Sequence, residues 1–370
     1  MALDWLDQTR KSRLRAYLVS PTNPDHVYEE LTGVDWSASS LSAGYYTDTR
    51  TSGSLTFIGD GWNPRGAFIR IVHEIPEWDY EQELGTYAVI EDPATRSLGH
   101  WSNTLELHSM PYTMSLDIAT CPMQIAAGAS VTTAMKHELE TAGRAYIFKA
   151  PNEYMFAHPK LMETGKSRLS RLFELCSLSN NRLDVDPHGR MVIEPYVLPA
   201  QRPVKAVIDL SDPRGIAYDS VARSTDWLGM PTTAAVSYSY SEKDASGEMV
   251  TREINAAVSV TATNHASKTV RGYNIVDFRE VTDLSPATAM AAQQLAKRYL
   301  EENSYELIEW DITTKFMPLW EGDVIQLVIP DGDPMYSGTR RCMVKNLDLD
   351  LGTMDMTLTL KETNGLDEEG

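Results

Sequence analysis

Between Ser285 and Val328 the period of the apolar residues changes abruptly, and the rest of the chain has to be arranged around that change. Ser285-Pro286 is a helix-start pair, with proline tolerated in the first turn. Ala287, Ala289, Met290, Ala291, Ala292, Leu295, Ala296, Tyr299 and Leu300 follow at helical spacing, and the alanines permit close packing. Beyond Asn303 the pattern becomes that of strands. Tyr305, Leu307, Ile308, Trp310 and Ile312 read as one strand, and Val324 to Val328 as another. Pro318-Leu319-Trp320-Glu321-Gly322-Asp323 supplies the turn between them.

The residues before this unit alternate in character. From 1 to 108 the chain reads as mostly β, with strands at Arg13–Val19, Ser54–Ile58, Ala67–Ile75, Gly85–Ile90 and Thr104–Leu107, which suggests a small barrel or sandwich. From 109 to 200 it reads as α+β. Helices are expected over Val131–Ala142 and Gly165–Leu178, a strand at Tyr146–Phe148, and a hairpin over Arg182–Glu194 turning at Asp186-Pro187-His188-Gly189. From 201 to 305 it is mixed, a segment that can belong to a domain discontinuous in sequence, with strands at Ala234–Tyr240, Val258–Thr263 and Tyr273–Phe278 before the helix. A last β unit spans 306–363, and 364–370 reads as a frayed tail. The expected fold class is mainly β with an α+β insert: a multi-domain chain of two similar small β-barrels plus mixed α/β domains. At 370 residues each part is large enough to bury its own core.

Charge narrows the partners. With 33 basic and 52 acidic residues the net charge is -19, the reverse of what gripping a nucleic-acid backbone needs. It is what solubility needs, and also what a surface that nucleic acid passes without sticking would need. No run approaches the ~18 apolar residues of a membrane span, so no membrane insertion is expected. Met1-Ala2-Leu3-Asp4 carries an acid where a signal peptide carries bases, which points to synthesis in a cytoplasm. Cys121, Cys176 and Cys342 are odd in number and far apart, an arrangement of small buried hydrophobes rather than a disulfide framework or zinc site.

Motifs that carry chemistry are incomplete. Gly165-Lys166-Ser167 ends like a phosphate-binding loop, but Lys160 stands where the first glycine belongs, so a helix start is the better reading, with Thr164 as its cap. Asp184, Asp186, His188 and Gly189 resemble a calcium loop, yet Pro195 holds its last ligand position. Asp331-Gly332-Asp333-Pro334 reads as a turn first and a cation site second. His73-Glu74 and His137-Glu138 both lack the second histidine of a helical zinc pair. The acids Glu74, Glu77, Asp79, Glu81 and Glu83 could in principle provide a glycosidase pair, but a solvated loop is the commoner use. Trp310 reads equally as core or interface anchor, and Trp320, in the turn, is the better candidate for a contact. No catalytic, cofactor-binding or metal-binding residues are assigned, no cofactor is expected, and the chain is not expected to be an enzyme.

The stretch Pro318-Leu319-Trp320-Glu321-Gly322-Asp323-Val324-Ile325-Gln326-Leu327, behind a small-residue helix and a strand, resembles the C-terminal part of phage tail-hub (baseplate hub) proteins. The chain also echoes itself. Gly66 to Val72 is similar to Gly322 to Val328, Gly85-Thr86 to Gly338-Thr339, and Leu105-Glu106-Leu107 to Leu358-Thr359-Leu360. From the second glycine to the first leucine the interval is 20 residues in both copies, and the looser spacing before it is what loops allow. The resemblance implies a structural virion protein of the tail tip. It would form a homotrimer whose two barrels per chain make six similar units, adapting a hexameric tail tube to a trimeric tip around a DNA exit channel. Its partners would be tail-tube, distal-tail and tip proteins, with DNA passing unbound. The alternative is a β-rich carbohydrate-binding or glycan-cleaving protein of the same tip.

Overall fold

The computed structural model describes residues 5, 10–58, 67–91, 94–97, 100–156, 159–212, 216–224, 229–260, 267–282, 289–303, 307–330 and 338–363. The strands of the first part are β1 (Arg13–Val19), β2 (Val27–Leu31), β3 (Val34–Gly44), β4 (Thr51–Ile58), β5 (Phe68–Ile75), β6 (Tyr80–Glu91), β7 (Ala94–Ser97) and β8 (His100–Ser109). Next come α1 (Met110–Leu116), β9 (Met123–Ile125), α2 (Val131–Thr141), β10 (Tyr146–Phe148), β11 (Lys160–Met162), α3 (Arg168–Leu178), β12 (Asn181–Val185) and β13 (Met191–Pro195). The chain continues through β14 (Val204–Asp209), β15 (Ile216–Ser224), β16 (Thr233–Lys243), β17 (Met249–Ser259), α4 (Lys268–Arg271), β18 (Val276–Thr282) and α5 (Ala289–Asn303). It closes with β19 (Leu307–Lys315), β20 (Val324–Ile329), β21 (Gly338–Asp350) and β22 (Asp355–Glu362).

The fold is mainly β, as expected. A 14-stranded sheet gathers the strands of both ends of the chain. In its first half the order runs β3-β4-β8-β6-β5-β1-β2, and in its second β15-β19-β22-β21, with β20 and then β14 beyond β21. The echo therefore has a topological counterpart. The ribbon β4-β8-β6-β5 matches β19-β22-β21-β20, antiparallel throughout. The outer strands differ, since β1 is antiparallel to β5 whereas β14 is parallel to β20. Gly85 and Gly338 both sit at positive φ, +148° and +116°, where a side chain would be strained. The two halves join where β3 pairs with the end of β21, Leu41 opposite Leu349.

Inward residues of both halves share one core. Leu55, Ile69, Leu105 and Leu107 pack in the same cluster as Trp310, Ile312, Phe316, Leu358 and Leu360, all fully buried. Trp310 is thus a core residue, its indole N–H donating to Glu362 at 3.2 Å. A second core lies between the α+β segment and the mixed segment. Met135, Leu139, Leu172 and Leu175 from α2 and α3 join Ala234 and Val236 of β16 and Ala292, Ala296 and Leu300 of α5. The alanines of α5 let the helix lie close on the three-stranded sheet β17-β16-β18.

Several local readings shift. β14 and β15, which fall in the segment read as mixed, pair with β20 and β19 respectively, because β partners are chosen across the sheet rather than along the chain. Of the strand expected over Val258–Thr263, Val258 and Ser259 end β17 and residues 261–263 lie outside the described residues, while the strand expected at Tyr273 begins at Val276. Strands β2, β3, β14 and β15 lack a clean apolar alternation, and the sequence did not reveal them. At α3 the cap is Ser167, whose hydroxyl accepts from the Ser170 amide at 3.1 Å, rather than Thr164. Ser285-Pro286, Tyr305, Asp331–Pro334 and the tail 364–370 lie outside the described residues. No described helix is long and apolar enough to cross a membrane.

A junction around the Glu321-Gly322-Asp323 turn as the candidate functional site

The turn before β20 is built by its own backbone and side chains. Asp323 accepts from the Trp320 amide and from Lys205 Nζ, both at 2.7 Å. Gly322 donates to Val344 O at 2.8 Å, and Val344 returns a bond to Asp323 O at 2.9 Å. Gly322 has φ +84°, and a Cβ there would stand 2.8 Å from the Tyr45 ring and 3.1 Å from the Arg202 guanidinium. The glycine is required twice, for its dihedral and for the approach of two neighbours.

Those neighbours come from elsewhere in the chain. Tyr45 follows β3 and is buried, and Arg202 lies in the link from β13 to β14 and is buried too. Arg202 donates to Gly322 O at 2.8 Å, to the Tyr45 hydroxyl at 2.7 Å and to Val197 O at 2.9 Å. Its guanidinium also lies over two rings, 5.1 Å from Tyr45 and 5.8 Å from Tyr196. Arg50 and Arg182 approach Tyr45, at 5.4 and 5.7 Å. Arg298 of α5 closes the row, 3.9 Å from the Tyr196 ring, while Tyr196 donates to Glu302 at 2.8 Å. Alternating arginines and tyrosines thus clamp the first β half, the α+β segment, α5 and the second β half at one point.

Beside the turn is a cavity of about 350 Å³ lined by Arg50, Arg182, Asp184, Trp320, Glu321 and Asp323, among others. Glu321 is partly covered as a residue, but its Oε2 is sealed and makes no hydrogen bond. Burial, and then the nearby Asp184, push its carboxyl up to about 7. The ring of Trp320 is half-buried against the main core, so it is less free for an outside contact than its turn position suggests.

Ser167 caps a helix, and Lys166 pairs with Glu174 at 3.5 Å. Asp186-Pro187-His188-Gly189 is a hairpin turn whose tip docks on the first β half. The Thr86 hydroxyl donates to Pro187 O at 2.8 Å, and the two ring nitrogens of His188 stand 3.0 Å from Asp25 and 3.1 Å from Glu83. Of the acids from Glu74 to Glu83, Glu74 is tied to Arg15 and Glu83 to Arg70, while Glu77, Asp79 and Glu81 are exposed. His73 is fully buried beside Ser12 and Phe316, whereas His137 faces out. Its neighbour Glu138 is buried between Arg168 and Arg171, at 2.8 and 3.0 Å. Cys176 and Cys342 are buried as expected, but Cys121 is exposed because it lies in a loop. Among the described residues no group of three His, Cys, Asp or Glu is placed to hold a metal ion.

No protein-family model matches the sequence, and no curated protein does. Solved structures do match the fold. The tail protein from Neisseria meningitidis MC58 superposes with a TM-score of 0.63 at 13% identity, covering 94% of this chain and 96% of that one. The 43 kDa tail protein of prophage MuSo2 from Shewanella oneidensis gives 0.61 at 12% identity, over 95% and 98%. Prophage tail protein gp18 from Listeria monocytogenes EGD-e gives 0.55 at 12% identity, over 96% and 95%. The chain has the fold of phage tail proteins across nearly its whole length, and the resemblance first visible in Pro318 to Leu327 is borne out at that level.

Proposed function

We propose that this chain is a structural virion protein of a phage tail tip, acting as a hub and not as an enzyme. Three copies assemble into a ring, and the two related β halves of each copy give six similar units. Such a ring adapts a hexameric tail tube to a trimeric tip, with tail-tube, distal-tail and tip proteins as its neighbours. DNA leaves through the centre without specific binding, and the excess of 52 acids over 33 bases suits a lining that avoids phosphate contacts. The chain is made in the host cytoplasm and ends in the virion.

One observation carries the reading: the ribbons β4-β8-β6-β5 and β19-β22-β21-β20 share strand order and sense and are joined in one sheet through β3, which pairs with β4 on one side and with the end of β21 on the other. The full-length tail-protein folds named above support it. Light scattering with negative-stain imaging of the purified chain tests it. A mass near three times 41.3 kDa with six-lobed rings is expected. A protein that stays single at every concentration, or a ring with a basic lumen, counts against it.

A further inference from the structure

Among the described residues four strands of the large sheet, β2, β7, β14 and β15, have one edge with no strand beside it. β15, at the end of the sheet, pairs with β19 alone, and β7 pairs with β8 alone. Free edges are templates for another strand. Elsewhere the chain guards such an edge: β2 pairs only with β1 and carries the exposed pair Glu29 and Glu30. β7, with the sequence Ala-Thr-Arg-Ser, and β15, with Ile-Ala-Tyr-Asp-Ser-Val-Ala-Arg-Ser, hold no such acidic pair.

The internal duplication identifies what these edges match. Leu55 opposite Leu105 corresponds to Ile312 opposite Leu358. By the same offset, Leu41 of β3, opposite Gly53, corresponds to Val221 of β15, opposite Trp310. Likewise Leu349 of β21, opposite Met356, corresponds to Ala94 of β7, opposite Asn103. Both segments immediately precede the turn of their hairpin. Thus β15 is the counterpart of β3, and β7 the counterpart of the end of β21. Within the chain those two counterparts are already paired, Leu41 against Leu349.

We infer that β15 of one copy pairs antiparallel with β7 of the next, repeating between chains the β3–β21 joint that operates within each chain. The partner is a second copy of this chain. The register places Val221 opposite Ala94 of the next copy and Ser220 opposite its Thr95. The joint is heterologous, so it propagates in one direction and closes into a ring only if the rotation allows. It rests on the hub reading and deepens it by naming the edges that meet.

Thr95→Cys combined with Ser220→Cys tests the joint. These positions correspond to Asp350 and Ser40, which are directly opposed and both exposed. Cys121→Ser removes the exposed native thiol. Under mild oxidation the double variant is expected to give covalent species of two and three chains, lost on reduction, while each single variant stays uncrosslinked. A three-chain mass by light scattering with no cross-link overturns the joint and leaves the hub standing. Covalent ladders well beyond three chains keep the joint and overturn the trimer. A single chain at every concentration, with no cross-link, overturns both. A register control combines Thr95→Cys with Arg223→Cys, three residues out of step with Ser220, and is expected to give no cross-link. Cross-linking in that pair as strong as in Thr95→Cys with Ser220→Cys counts against the register.

Discussion

The Arg202 guanidinium stands 2.7 Å from the Tyr45 hydroxyl and makes a second bond to Gly322 O at 2.8 Å, so one side chain spans both β halves. Replacing it leaves a buried hydroxyl and a buried carbonyl without partners. Arg202→Met is expected to cost roughly 3 kcal/mol, within the range for removing a charged partner from a buried network. Arg202→Lys is expected to recover only a minor part, since an ammonium cannot reproduce the planar fork over two rings. Urea midpoints of the two variants check this, and an Arg202→Lys protein as stable as wild type would refute the stacked geometry.

Gly322→Ala is expected to destabilise by about 1–3 kcal/mol. It forces an alanine to φ +84° and pushes its Cβ against Tyr45 at 2.8 Å. Thermal unfolding of the variant is the direct measurement. Gly143→Ala makes the comparison, because that glycine also has positive φ but no neighbour within 4 Å, so the gap between the two isolates the close approach.

Glu138 is fully buried and receives hydrogen bonds from Arg168 at 2.8 Å and Arg171 at 3.0 Å. Arg171 is itself nearly inaccessible and donates to three backbone carbonyls, those of Cys121, Met162 and Glu163. Glu138→Ala would strand a buried charge, and a loss of roughly 3–5 kcal/mol is expected. Denaturant unfolding followed by far-UV circular dichroism would register it.

Two buried groups give opposite pH dependences. Burial raises Glu321 to about 7 in the folded chain, against 4.5 for an ordinary glutamate. Between those values the folded state holds the extra proton, so this contribution to stability falls as pH rises. His73 is lowered to about 4 from 6.5, by burial and by Arg10. There the unfolded state binds more protons, so stability rises with pH over that window. Glu321→Gln is therefore expected to gain on wild type progressively from about pH 5 to 7. Unfolding midpoints across pH 4.5 to 8 provide the test, and a pH-independent difference would exclude a titrating Glu321.

Much of the architecture was legible locally. The period change after Asn303, the exact span of Arg13–Val19 and the Asp186-Pro187-His188-Gly189 turn each depend on neighbours within a few residues, and the structure agrees with the sequence there. The duplication was also visible, because Leu105 and Leu107 and their counterparts Leu358 and Leu360 must face one core with period two. By contrast β3 and β15 were missed. In β3 the serines Ser37, Ser39, Ser40 and Ser42 and a register shift between Asp35 and Ser40 blur the alternation, and the identity of both strands depends on distant partners that local propensity does not encode.

The candidate site divides the same way. From sequence alone came the Glu-Gly-Asp turn, because a turn before a strand needs a residue that accepts positive φ. Tertiary structure decided the rest. Tyr45, Arg182, Tyr196, Arg202 and Arg298 are spread over more than half the chain and follow no spacing rule. They meet because the β3–β21 joint brings the two halves together and α5 packs beside them. Cation–ring and hydrogen-bond geometry is satisfied by position in space, and sequence separation carries no information about it.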